Sequence, residues 1–119
     1  MTGRRTNPDF LNGVPELLIL HLLSARPMYG YQLVQAIRLA TNEVLEFGEG
    51  CVYPILHRLE ADGLLISRRE AVGGRQRVVY RVNARGARRL QETTASWRGV
   101  VTAVQQALQG GADVSARLA

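Results

Sequence analysis

The 119-residue chain is 46% hydrophobic, enough for one modest globular core and too short for two. Its one cysteine, Cys51, excludes an intrachain disulfide and a cysteine metal cluster. No apolar run approaches the length of a membrane span, and the first residues lack the apolar stretch of a secretion signal, so a cytoplasmic protein is expected. All 15 basic residues are arginine, and the formal net charge is +5. Residues 57–89 hold nine arginines against three acidic residues, so this segment carries the whole positive excess. Arginine meets phosphate through a planar two-pronged fork, which makes nucleic acid the partner to consider first.

Residues 1–12 are polar and aperiodic and are expected to form a flexible arm. A first helix is predicted over about Val14 to Ala25, with Pro15 in its first turn and leucines and Ile19 on nearly every side, as a buried spine requires. His21 within it is expected to be a core or rim residue rather than a metal ligand. Arg26-Pro27-Met28 breaks this helix, and Tyr29-Gly30-Tyr31 opens the next, whose inner face is Leu33, Val34 and Ile37. An acidic connection from Thr41 to Gly50 follows.

The stretch Glu49–Leu65 predicts a short third helix that has Pro54 in its first turn and stops at Gly63. Val52, Leu56 and Leu59 recur at i, i+4, i+7 and face the core. Pro54, His57, Arg58 and Ala61 point the opposite way, a face suited to lie against DNA. Glu60 is expected to pair locally with an arginine.

Two β-prone runs, Leu65–Val72 and Gln76–Val82, flank Gly73-Gly74, a hairpin signal. Val78, Tyr80 and Val82 alternate with Arg77, Val79 and Arg81, the pattern of a half-buried strand, and Arg75 and Arg77 fall at or near the hairpin tip. Asn83 is a candidate cap for a last helix over roughly Ala84 to Gln109. Its seam of Leu90, Thr94, Trp97, Val101, Val104 and Leu108 has heptad spacing and needs a partner, either a second copy or the first helix. Gly110-Gly111 ends it, and a flexible tail is expected over residues 111–119.

Three helices and then a hairpin is the winged-helix order. The fold class expected is mainly α with a small β wing: a winged-helix domain over residues 13–85 and a dimerisation helix over residues 86–110. The helix-3 face, with Tyr31, Tyr53, Pro54, His57 and Arg58, and the wing arginines Arg75 and Arg77 form the candidate DNA-binding set. Arg58 and His57 are assigned to base edges or nearby phosphates, and Tyr31, Tyr53, Arg75 and Arg77 to phosphate positioning. The alternative is a winged-helix protein–protein module, which the concentration of arginine disfavours. Two histidines and one cysteine without triad or metal spacing give no basis for an enzyme, and no cofactor is expected. Cys51 lies at a helix start near arginines, where a thiolate is favoured, so a redox role is open beside a silent one.

The chain resembles the PadR-like family of bacterial transcriptional regulators. The residues that carry the likeness are Gly30-Tyr31, the run Gly50 to Glu60, Gly63-Leu64, Gly73-Gly74-Arg75 leading into Val79–Val82, then Gly86 and Leu90. The resemblance covers about residues 11–108. It implies a winged-helix homodimer, joined through the last helix, that represses promoters at inverted-repeat operators on double-stranded DNA and is released by a small molecule. Cys51 stands where the family usually has Ser or Thr, and Asn83 where it usually has Thr. Trp97 is the only tryptophan. Some multidrug-responsive members hold planar drugs between tryptophans of this helix, which implies a planar aromatic effector at Trp97; plain dimer core is the other reading.

Overall fold

The computed structural model describes residues 13–110 and 114–118. The expected arm (residues 1–12) lies outside them, as do residues 111–113 and 119 of the expected tail. The elements run α1 (Val14–Ala25), β1 (Met28–Tyr29), α2 (Gly30–Ala40), α3 (Glu49–Ala61), β2 (Leu65–Val72), β3 (Arg75–Val82), α4 (Ala84–Leu108) and a short α5 (Val114–Leu118). Helices α1 to α3 enclose one core built from Ile19, Leu20 and Leu23, from Leu33 and Ile37, and from Val52, Leu56 and Leu59. Each such side chain contributes about 1.5–3 kcal/mol by leaving water. His21 is exposed, so it belongs to the solvent face of α1 and not to the core or rim.

The connection between α2 and α3 contributes Phe47, which is fully buried in the same cluster. Asn42 and Glu43 adopt left-handed backbone, with φ 52° and 64°. Thr41 holds that turn: its hydroxyl donates to the Ile37 carbonyl at 2.9 Å and accepts the Leu45 N–H at 3.1 Å. Arg38 pairs with the Glu43 carboxylate at 2.9 Å. The segment thus turns back tightly and buries Phe47, with Leu45 packed against the core and Val44 exposed.

α3 begins earlier than Pro54 predicts. Gly48 is its N-cap, and Pro54 lies inside the helix, beyond its first turn. The missing proline N–H leaves the Gly50 carbonyl without its intrahelical donor, and Gly50 is exposed, so water can take that place. At the far end the Gly63 N–H donates to Glu60 O at 3.0 Å and the Leu64 N–H to Leu59 O at 2.9 Å, which closes the helix as expected.

β2 and β3 pair from Leu65↔Val82 to Val72↔Arg75, leaving Gly73-Gly74 as a two-residue turn. Both glycines have positive φ, 59° and 79°, the geometry a tight hairpin turn with the natural strand twist requires. The sheet has a third strand that the sequence did not announce. β1 pairs with the other edge of β3, Met28↔Tyr80 and Tyr29↔Val79, giving the order β1-β3-β2. The simple alternation expected for β3 is therefore lost. Val79 and Tyr80 are both buried, because β3 is the central strand, while Val78, nearer the tip, is exposed.

α4 starts at Asn83, whose side chain accepts the Gly86 N–H at 2.9 Å. Its first turns lie on the body of the fold, where Gly86 is buried and Leu90 packs against the core. A Cβ at Gly86 would run into the Leu64 carbonyl oxygen, so only glycine permits this approach. Beyond, Trp97, Val100, Val104 and Leu108 are exposed. No helix among the described residues is long and apolar enough to cross a membrane.

Candidate nucleic-acid interface

The outward face of α3 is the one the apolar stripe dictates. Pro54, His57, Arg58 and Ala61 are exposed, opposite the fully buried Val52, Leu56 and Leu59. Tyr53 lies at the edge of this face. Its ring covers the start of α2 so closely that a Cβ at Gly30 would overlap it, and its centroid is 6.3 Å from that of His57. Tyr31, on the first turn of α2, is exposed. The Tyr29 N–H donates to the Gln32 side-chain oxygen at 3.1 Å, fixing the entry to α2.

The wing arginines separate into two kinds. Arg75 is exposed at the turn. Arg77 instead lies over the Tyr29 ring, its guanidinium carbon 4.5 Å from the centroid. This cation–π contact ties strand β3 of the wing to the entry of α2. Between wing and helices a cleft of about 230 Å³ is lined by Tyr29, Tyr53, Gln76, Arg77 and Val78. A phenol pair beside a guanidinium suits a phosphate at its mouth. Tyr29 and Gln76 were not among the residues singled out from the sequence; Tyr29 gains its place only through β1, a strand too short to show a period.

Arg58 is engaged within the protein. Its guanidinium reaches the Glu16 carboxylate of α1 at 3.0 Å, and Arg89 of α4 reaches the other oxygen at 3.3 Å. Glu60, expected to pair with an arginine, instead accepts the Ser67 hydroxyl at 2.5 Å. Glu70 pairs with Arg81 at 2.6 Å.

Cys51 is half-buried, and desolvation pushes its thiol pKa up. This runs against the thiolate expected at a helix start, since burial favours the neutral thiol. No group of three or more His, Cys, Asp or Glu side chains among the described residues could hold a metal.

Trp97, 42% exposed, borders a groove of about 190 Å³ between α4 and the start of α1. Val14 and Leu17 form one wall, Thr93, Ser96 and Val100 the other. The small neighbours Thr93 and Ser96 make the room; Thr94 and Gly99 do not line it.

A three-helix core with a hairpin wing anchored by a third strand, and a long helix leading away, defines a winged-helix protein. Residues 19–92 match the model of the transcriptional regulator PadR-like family, and the chain belongs to that family. It is 38% identical over 84 residues to the transcriptional regulator Rv3488 of Mycobacterium tuberculosis, a match covering 71% of this chain and 76% of that protein. The fold is similar to that of a PadR-like transcriptional regulator of Bacillus cereus, with TM-score 0.75 and 32% identity over 86% of this chain and 98% of the other. It is likewise similar to a PadR-family regulator of Eggerthella lenta, with TM-score 0.71 and 31% identity over 84% and 86% of the two chains.

Proposed function

We propose that the protein is a homodimeric, sequence-specific DNA-binding repressor whose operator is an inverted repeat and whose release is driven by a planar aromatic molecule. The observation that carries the reading is the exposed face of α3 within an arginine-rich segment: Pro54, His57 and Arg58 project from a helix whose opposite stripe is fully buried. Such a helix enters the major groove, and the wing follows the flanking backbone. His57 and Arg58 read base edges or adjacent phosphates. Tyr31, Tyr53 and Arg75 position phosphates, and Arg77 does so from its place over Tyr29. The exposed apolar side of α4 supports dimerisation through that helix, and the groove beside Trp97 supports the effector. A flat aromatic ligand stacks on the indole between two apolar walls.

Selection of random duplexes with the purified protein is the test. An inverted repeat with half-sites about one helical turn (~10 bp) apart is expected. An asymmetric site, or no site, overturns the reading. A planar aromatic that does not itself bind DNA should quench Trp97 fluorescence of the free protein saturably and weaken binding to the selected duplex over the same concentration range. Quenching without loss of DNA binding would remove the effector from the proposal.

A further inference from the structure

We propose that Glu16 is an intramolecular competitor of DNA for Arg58. In the free protein the α1 carboxylate holds the guanidinium of the recognition helix; on duplex binding Arg58 leaves it for a phosphate or a base edge. The inference rests on the DNA-binding reading above and names the residue that regulates that surface.

Three features make Glu16 suited to this exchange. Its side chain is 15% exposed, whereas that of Arg58 is 50% exposed, so the carboxylate is fixed and the guanidinium retains a path to solvent. Arg58 donates to Glu16 at 3.0 Å across 42 residues of sequence, so the pair joins the recognition helix to α1 and is no local helix contact. The third feature is Arg89, which donates to the second Glu16 oxygen at 3.3 Å. A half-buried carboxylate that loses its only cation is stranded at high cost. Here Arg89 stays behind, so Arg58 departs without leaving a bare charge. Two guanidiniums on one carboxylate is more positive charge than the pair needs, and the outer, more exposed one is the one on the DNA face.

The test is a double-mutant cycle on duplex affinity with the full chain: wild type, Glu16→Gln, Arg58→Ala and the double variant, each checked by circular dichroism. Glu16→Gln should bind about two- to fivefold more tightly, the range a partly exposed ion pair spans. That gain should vanish in the Arg58→Ala background. A gain of equal size without Arg58 would reduce it to general relief of repulsion and overturn the proposal, as would unchanged or weaker binding by Glu16→Gln. If no variant and no wild type binds any selected duplex, it is the DNA-binding reading that fails. Should Glu16→Gln not fold, the wild type decides: the Arg58 side-chain Nε–H resonance, assigned through Arg58→Ala, should shift on duplex addition. An unshifted resonance overturns the exchange.

Discussion

Asn83 accepts the Gly86 N–H at 2.9 Å and donates its amide to the Gly63 carbonyl at 2.8 Å. One side chain therefore caps α4 and ties it to the end of α3. From the sequence, asparagine and threonine are interchangeable caps here; in the fold they are not, because a capping hydroxyl has no second arm to reach Gly63. Asn83→Thr should keep the cap and lose the tie, costing about 1 kcal/mol, while Asn83→Ala should cost about 1–3 kcal/mol. Urea denaturation of the two variants checks the order, and equal losses would show the Gly63 bond to be idle. Tyr80 is the other residue with a measurable signature. Burial first, then the charges of Glu60 and Tyr53, raise its phenol pKa above the ordinary tyrosine value of about 10. The fold thus favours the neutral phenol. Its contribution is fully present below that ordinary value and is lost as pH rises through the raised one. Stability measured from pH 9 upward should fall, and Tyr80→Phe should flatten that fall.

At the scale of elements, the parts with a long period or a strong stop signal were legible. α1 matches its expected bounds, α3 ends at Gly63 with its apolar stripe buried, and the Gly73-Gly74 hairpin is present. What the sequence could not show were features made by contact between distant segments. β1 has two residues and no period, Phe47 ends the short aperiodic run Val44-Leu45-Glu46-Phe47, and the hold of Glu16 on Arg58 spans 42 residues. Proline misled for a physical reason as well: a helix interior tolerates it where the freed carbonyl faces water, so Pro54 marks no start. α4 makes the prediction that belongs here. It has 25 residues, roughly 37 Å at 1.5 Å per residue, and its later apolar positions are uncovered. Val104→Asp puts a charge into that seam. It should shift sedimentation from dimer to monomer while leaving the α1–α3 core folded, because Val104 is exposed and lies outside the core. A variant that remains dimeric would place the interface elsewhere.

Over the whole molecule, positive charge and fold are arranged together. The arginines of residues 57–89 occupy α3, both wing strands and the first two turns of α4, whereas the α2–α3 connection and the first residue of α3 carry Glu43, Glu46 and Glu49. On the proposed DNA-binding reading, long-range attraction would orient the protein before contact, with the buried stripe of α3 turned away from the duplex. The pairing of β1 with β3 has a consequence for motion. Strand β3 is paired on both sides only around Val79 and Tyr80; from Val78 to the turn its strand partner is β2, with Arg77 over Tyr29 as a side-chain tie. The wing is thus a clamped root with a free blade. Deuterium should enter the two parts at different rates: amides about Val79 and Tyr80 should exchange only when the core opens, and those from Ala71 to Gln76 by local fraying. Because the root is welded to Met28 and Tyr29, a blade bent by a bound duplex would load the β1–β3 pairing, and altered exchange at Met28 would register that bending at a distance from the tip.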